Sequence, residues 1–133
     1  MPNSMHAYLQ QDMECEGLLE CFYGLKDLDR RVFEVMAESE TPLTVDEVAD
    51  AVDRERSTAY RSIQRLMKAG FVQKEQVNYD DGGYYHVYRL VDATDVSNDL
   101  QRMLNDWYAK MGQLIGEFED KYADAPTAAT AED

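Results

Sequence analysis

The chain has 133 residues, 44% of them hydrophobic, so its length favours one compact domain with a modest core over two domains. Thirteen Lys and Arg residues against 27 Asp and Glu residues give a net charge of -14, which excludes nonspecific binding to nucleic acid or membranes through bulk positive charge. Apolar runs fall short of the roughly 18 to 20 residues that span a bilayer, and the start of the chain lacks the pattern of a secretory signal. We therefore expect a cytoplasmic protein.

Two helices are predicted before residue 40. Residues 5–22 carry apolar side chains at an imperfect helical spacing, and Gly24 follows as a breaker. Residues 27–39 place their apolar side chains on one helix face. The members of that face are Leu28, Val32, Val35 and Met36.

Two further helices are predicted on either side of a tight break at residues 53–55. Thr44 with Glu47 three residues later forms a capping box, which begins a short third helix. The fourth helix covers residues 56–69 and ends at Gly70, a typical C-terminal capping residue.

A β-hairpin is predicted next. Residues 71–79 and 84–91 are rich in Val and Tyr, and the Asp-Asp-Gly-Gly run at residues 80–83 is typical of a turn. The acidic tip of such a hairpin would repel phosphate or hold a cation first.

A long helix over residues 96–122 is predicted to follow, with Asp95 as its cap. Its apolar seam alternates steps of four and three, as in coiled coils, and consists of Leu100, Leu104, Trp107, Met111, Leu114 and Phe118. At 1.5 Å per residue the helix would be about 40 Å long, more than so small a domain can cover, so we expect the seam to pair with a second copy. The acidic tail that follows should be disordered.

The order of these elements is that of a winged helix-turn-helix, and three segments make the similarity specific: TVDEVA at residues 44–49, RSTAYRSIQRL at residues 56–66 and KAGFV at residues 68–72. Over residues 25–91 the chain resembles the DNA-binding half of archaeal TrmB-like transcriptional regulators. Its acidity and long terminal helix also resemble the short haloarchaeal regulators of this type, which include a regulator of the oxidative-stress response.

The predicted fold is therefore mainly α with a small β-hairpin (α+β). It comprises an N-terminal helix at residues 1–24 that adds to a dimer interface, a winged helix-turn-helix at 25–91, a dimerisation helix at 92–122 and a disordered acidic tail at 123–133. Larger TrmB-like proteins carry a C-terminal sugar-binding domain. Since only a helix and a tail follow the hairpin here, we expect neither sugar sensing nor another small-molecule ligand.

Positive charge is concentrated around the predicted fourth helix. Residues 54–74 contain six basic side chains and one acid, a net charge of +5, while the rest of the chain sums to -19. Such a stretch suits a groove lined by phosphates, although a solvated basic face is the simpler alternative. The candidate DNA-binding residues are Arg56, Ser57, Thr58, Tyr60, Arg61, Gln64, Arg65, Lys68, Lys74 and Arg89.

Individual roles follow from side-chain chemistry and helix position. Arg61 is expected to read a base edge, because a guanidinium can bind O6 and N7 of guanine together. Arg56, Ser57 and Thr58 lie near the helix start, where free backbone N–H groups also bind phosphate. Tyr60 either contacts DNA or covers the core.

The sequence gives little support for cysteine redox chemistry, metal binding or enzyme activity. Cys15 and Cys21, six residues apart on a predicted helix, point in different directions and cannot pair with each other. Burial as small apolar side chains is favoured, with an intersubunit disulfide or oxidation to sulfenic acid as the alternatives. Together with His6 and His86 they lack the spacing of a metal site. We expect no cofactor apart from potassium or other cations held diffusely by the acidic surface. We also expect no enzyme activity, because the sequence has neither a phosphate-binding loop nor a nucleophile elbow.

The sequence thus predicts a homodimeric regulator that binds a pseudo-palindromic promoter site on double-stranded DNA in a high-salt cytoplasm. The resemblance adds a response to oxidative stress. The alternative is a winged-helix module that binds another protein, such as a basal transcription or chromatin adaptor, and does not read bases.

Overall fold

The structure is a computed structural model, and it describes residues 4–10, 14–15 and 17–126. The described part is mainly helical with one antiparallel hairpin, which confirms the predicted winged helix-turn-helix. In chain order its elements are α1 (Met5–Gln10), α2 (Gly17–Tyr23), α3 (Asp27–Glu38), α4 (Val45–Val52), α5 (Arg56–Lys68), β1 (Val72–Asn78), β2 (Tyr84–Leu90) and α6 (Ala93–Tyr122). The chain divides into two compact units, Met1–Val96 and Ser97–Asp133.

The prediction of one continuous helix over residues 5–22 is wrong. Helix α1 ends at Gln10, residues 14 and 15 are not helical, and α2 begins at Gly17. The apolar spacing explains the break, since the step from Met13 to Leu18 is five positions and interrupts the helical repeat of three or four. The breaker function of Gly24 is confirmed, because this residue adopts a left-handed φ of 68° after α2.

The predicted capping signals of the central helices are confirmed. The Glu47 backbone N–H donates to Oγ1 of Thr44 at 3.2 Å, and the Thr44 backbone N–H donates to Oε1 of Glu47 at 2.9 Å. Helix α5 gives way to Gly70, whose φ of 88° turns the chain toward β1. Both ends of the helix pair α4–α5 are therefore fixed by local sequence.

The core lies between α3, α4, α5 and the base of the hairpin. Its fully buried apolar side chains are Val32, Val48, Val52, Ala59, Ile63 and Leu66. Two members of the apolar face predicted for α3, Leu28 and Val35, are only half-buried. Phe33 of the same helix instead meets Phe71 edge to face, with ring centroids 5.9 Å apart.

The hairpin pairs Val72 with Leu90 at its base and Asn78 with Tyr84 near its turn. Gly82 and Gly83 have φ values of 93° and 79°, the left-handed conformation that the turn requires. Leu43, in the connection before α4, exchanges two backbone hydrogen bonds with Tyr88 of β2. This bridge attaches the hairpin to the helical part and was not predicted.

Helix α6 spans 30 residues, about 45 Å, and none of its residues is buried. It begins at Ala93, three residues before the predicted start. Asp95 is therefore not the cap but part of the first turn, where a carboxylate still interacts favourably with the helix dipole. The predicted disordered tail lies mostly outside the described residues. Across the residues that the structure covers, the helices are too short or too polar to cross a membrane.

Candidate nucleic-acid interface

Helix α5 separates into two faces. One side is buried through Ala59, Ser62, Ile63 and Leu66. The opposite side, called here the outer face, is exposed and consists of Ser57, Arg61, Gln64, Arg65 and Lys68. The arrangement has the form of a recognition helix, in which core packing fixes the orientation of a polar surface.

The start of α5 carries a second group of candidate residues. The Arg56 guanidinium lies 3.1 Å from the Asp46 carboxylate, and both side chains are well exposed. Arg61 lies one turn further on and donates a long hydrogen bond of 3.4 Å to Oγ1 of Thr58. Because exposed ion pairs contribute little stability, a phosphate could displace Asp46 from Arg56 at a small cost in free energy.

The basic side chains of the region differ in their partners. Arg56, Arg65 and Arg89 each form an ion pair with a carboxylate. The remaining basic residues between 54 and 74 make no ion pair with any residue that the structure describes, and these are Arg54, Arg61, Lys68 and Lys74. Fewer basic side chains are therefore uncompensated by a carboxylate than the sequence alone indicates.

A buried carboxylate that sequence reasoning missed holds α5 against α3. The Asp29 side chain is only 2% exposed, and the Arg65 guanidinium grips it with Nε 3.0 Å from both carboxylate oxygens and Nη2 2.7 Å from Oδ1. The Ser62 hydroxyl donates to Oδ1 at 2.5 Å, and the Lys26 backbone N–H donates to Oδ2 at 3.2 Å. A signal was present, since Asp29 shares the α3 face of Val32 and Met36, where an apolar residue is expected.

The environment of Asp29 keeps it ionised. Burial raises the pKa of the carboxyl, but the hydrogen bonds from Arg65, Ser62 and the Lys26 backbone outweigh burial and hold the pKa below its ordinary value. The hydrogen bond to Asp29 raises the pKa of Arg65 in turn. Asp29 and Arg65 are therefore both charged near neutral pH.

Tyr60 lies beside Tyr88 and Arg56 where α5 meets the hairpin. Tyr88 is buried, and burial raises the pKa of its hydroxyl, with the proximity of Tyr60 acting in the same direction and that of Arg56 opposing it. Tyr60 itself is half-buried. Both alternatives for Tyr60, a contact with DNA and a cover for the core, remain predictions.

The hairpin presents mixed chemistry. Lys74 is exposed, and Nε of Arg89 lies 2.9 Å from the Glu75 carboxylate on the neighbouring strand. Tyr84 and His86 meet edge to face with ring centroids 5.4 Å apart, while the acidic tip residues Asp80 and Asp81 are exposed. Lys74 is therefore the hairpin cation that is immediately available to a phosphate.

Comparison with known proteins identifies the family. A model of the family described as sugar-specific transcriptional regulator TrmB matches residues 19–94, more than half of the chain. The chain belongs to the TrmB family. An uncharacterized protein of Methanocaldococcus jannaschii is 32% identical over 105 residues, which cover 78% of this chain and 78% of that protein.

Two solved structures share the fold of this TrmB-family protein. A possible transcriptional regulator from Methanosarcina mazei Go1 has a TM-score of 0.69 at 24% identity and covers 82% of this chain and 92% of its own. The ST1889 protein from Sulfolobus tokodaii has a TM-score of 0.56 at 23% identity, over 70% of this chain and 90% of its own. The family is one of DNA-binding transcriptional regulators rather than enzymes, as expected from the sequence.

The apolar seam of the TrmB-family protein is open to solvent within one chain. Leu100 and Met111 are half-buried, and the other four side chains are 41 to 67% exposed. Tyr108 and Ile115, which the prediction did not include, are exposed at 77% and 70% and lie along the edge of the seam. So large a row of apolar side chains on one helix marks an interaction surface.

The cysteines of this TrmB-family protein differ from the favoured expectation. Cys15 and Cys21 are both exposed, so the prediction that they are buried as small apolar side chains is wrong. Cys21 lies on the short helix α2, which buries only Leu19, and Cys15 lies in the turn before that helix. Within the described ranges, His, Cys, Asp and Glu side chains do not gather in a group that could hold a metal ion.

Proposed function

We propose that this TrmB-family protein is a sequence-specific regulator that binds a pseudo-palindromic promoter site as a homodimer. The observation that carries the proposal is the outer face of α5. Arg61, Gln64 and Lys68 are exposed there without a carboxylate partner among the described residues, although the whole chain has a net charge of -14. In a chain with twice as many acids as bases, exposed cations gathered on one helix face form the kind of local positive surface that phosphate binding requires.

The outer face would enter the major groove. Arg61 lies at its middle and would read a guanine, while Arg56, Ser57 and Thr58 at the start of α5 would hold phosphate. Lys74 and Arg89 of the hairpin would contact the backbone beside the groove, with Arg89 exchanging Glu75 for a phosphate. The acidic tip would stand away from DNA.

The homodimer would form through the apolar seam, whose exposed side chains need a partner. A second copy supplies an identical seam, and two-fold symmetry presents two α5 helices to DNA, which explains the expected pseudo-palindrome. The exposed apolar residues Met5 and Leu9 of α1 would also contact the second copy.

The proposal also includes the cellular setting. A net charge of -14 suits a high-salt cytoplasm, where hydrated cations accompany the carboxylates. A response to oxidative stress rests on the resemblance to haloarchaeal regulators, and the exposed Cys15 and Cys21 are the side chains that an oxidant could modify.

We expect a Cys15→Ser, Cys21→Ser double variant to fold and bind DNA normally. If peroxide released wild type from DNA but not this variant, the cysteines would be the sensor.

Selection of genomic fragments by the purified protein, at several KCl concentrations up to molar, tests the function. We expect recovery of promoter fragments with a common two-fold motif. Arg61→Ala should reduce the enrichment, and the matched control Arg102→Ala, an exposed arginine of α6, should preserve it. Capture of basic proteins without any enrichment of DNA would instead establish the protein-binding alternative.

A further inference from the structure

Arg65 uses only one edge of its guanidinium within the protein. Its Nε and Nη2 atoms bind Asp29, as described above, and the hydrogen bonds among the described residues do not involve Nη1. A guanidinium has five N–H donors in a planar fork. The edge formed by Nη1 and the second hydrogen of Nη2 therefore stays available for a second oxyanion.

This available edge belongs to an exposed side chain on the outer face. The Arg65 side chain is 49% exposed, and it lies one helical turn from Arg61 and one turn from Lys68. An arginine between two unpaired cations, with half its surface in water, is placed where a DNA phosphate would approach α5. The edge formed by Nε and Nη2 faces the buried Asp29 carboxylate. We infer that the other edge lies in the exposed part of the side chain.

The acceptor that fixes Arg65 is itself rigid. Asp29 is 2% exposed, and its two oxygens are occupied by Ser62, the Lys26 backbone N–H and the guanidinium. These contacts leave the carboxylate little freedom to rotate. A long arginine side chain normally loses rotamer entropy when it binds a phosphate, and here that loss has already occurred on folding.

We propose that Asp29 is a positioning residue for DNA binding, which orients Arg65 so that its outer edge forms a bidentate contact with a phosphate of the DNA backbone. The inference rests on the function proposed above and extends it to a residue that does not touch DNA. Ser62 is the second positioning residue, acting through Asp29. A merely structural Asp29 would stabilise the fold without affecting the strength of the Arg65 contact.

The direction in which Asp29→Asn changes DNA affinity distinguishes positioning of Arg65 from simple charge compensation. Asp29→Asn removes a negative charge and raises the net charge of the protein by one unit. If Asp29 only neutralised Arg65, the variant would bind DNA more tightly, because both long-range electrostatics and the released guanidinium would favour phosphate. If Asp29 positions Arg65, the variant binds more weakly in spite of its more favourable charge.

The experiment measures binding of a labelled mixed-sequence duplex by fluorescence anisotropy at fixed KCl, since a phosphate contact is independent of sequence. Wild type, Asp29→Asn, Arg65→Gln and the double variant are compared below their unfolding midpoints, as determined by circular dichroism. We expect each single variant to lose about tenfold in affinity, the order of one charge-assisted bidentate contact. The double variant should lose no more than Arg65→Gln, because the effect of Asp29 requires Arg65.

Equal or tighter binding by Asp29→Asn overturns the inference, as does additivity in the double variant. If Asp29→Asn does not fold, Ser62→Ala carries the same test, since it leaves the charge and the ion pair in place. We expect about a twofold to threefold loss for this variant, and unchanged binding would overturn the inference. Wild-type protein that does not bind DNA would refute the proposed function itself, a result distinguishable from these.

Discussion

Asp29 lies on the face of α3 that also carries Val32 and Met36, and its carboxylate is almost completely removed from water. Burial of an isolated charge is costly, so the carboxylate persists only because Arg65, Ser62 and a backbone N–H compensate it. The same contacts join the first turn of α3 to the last turns of α5. A single residue thereby couples α3, which supports the core, to α5, the helix that we propose binds DNA.

Removal of this carboxylate should destabilise the fold. We expect Asp29→Ala to lower the free energy of unfolding by about 2 to 4 kcal/mol, because it leaves the Ser62 hydroxyl and part of the Arg65 guanidinium without their acceptor. Urea denaturation at neutral pH measures the loss. The exposed Asp99→Ala, which breaks the surface pair with Arg102, is the matched control and should change the free energy by less than about 1 kcal/mol.

The same group gives the stability a defined pH dependence. The folded-state pKa of Asp29 lies below its unfolded value of about 3.9, so its stabilising contribution is complete above that pH and is lost as the pH falls through the folded-state pKa. Wild type should therefore lose stability below about pH 4 more steeply than Asp29→Asn. Parallel acid-unfolding curves for the two proteins would contradict this assignment.

Arg61 and Arg56 should differ in what they contribute to DNA binding. Loss of a base contact by Arg61→Ala should cost about 1 to 3 kcal/mol and remove discrimination at one operator position. Arg56→Ala should weaken all sequences alike, and by less, because Arg56 must first leave Asp46. Competition binding against single-base operator variants measures both. Uniform weakening by Arg61→Ala would make Arg61 a phosphate contact instead.

The outer face could be predicted from sequence. The position of Asp29 on an apolar helix face was a signal of its burial, but its partners could not be predicted. Helical periodicity alone separates Arg61 and Gln64 from Ile63, because both faces lie within one helix. The partner of Asp29 lies 36 residues away in Arg65, and only the packing of α3 on α5 brings them together. Arg65 was predicted as a DNA contact for its charge, but the structure shows that one of its edges is already bound.

Among the elements, those with strong local signals were predicted well. The capping box of Thr44, the positive φ of Gly70 and the turn glycines of the hairpin fix their elements through neighbouring residues. The segment before α3 has no such signals, and its two short helices were predicted as one. Helices of six and seven residues are marginal alone and depend on tertiary contacts that a sequence pattern does not show.

The exposed apolar seam of helix α6 needs a partner in the proposed dimer. Leu104→Glu with Met111→Glu should place charges in the proposed dimer interface and yield monomers or unfolded chains. The matched control, Asn105→Glu with Gln113→Glu, adds the same charge on the opposite side of the same helix and should preserve the dimer. Light scattering distinguishes these outcomes. A seam variant that remained an intact dimer would show that the copies associate elsewhere.

At the scale of the whole molecule, charge distribution sets the conditions for binding. A chain of net charge -14 approaches a polyanion, and a phosphate must displace Asp46 from Arg56 and Glu75 from Arg89. The displaced carboxylates, together with Glu55 at the start of α5, would take up cations as the complex forms. This uptake opposes the counterion release from DNA that normally makes binding weaken with salt.

We therefore expect DNA affinity to stay level or to increase with KCl into the molar range. Glu55→Gln should restore part of the ordinary weakening with salt, whereas Glu117→Gln in α6, the same change on another exposed helix, should not. Anisotropy titrations across KCl concentrations, with circular dichroism to show that the protein remains folded, provide the measurement. A steep loss of affinity with salt in the folded wild type would rule out cation uptake.

In the proposed complex, two copies of this TrmB-family protein present two α5 helices to one DNA site. Hydroxyl-radical footprinting on a selected fragment tests it most directly, because it reports the spacing and symmetry of the protected segments. We expect two equivalent protected segments whose centres lie about one helical turn, roughly 10 base pairs, or a multiple of it apart. Both should be weakened together in Arg61→Ala. A single unsymmetrical segment, or protection that Arg61→Ala leaves unchanged, would contradict it.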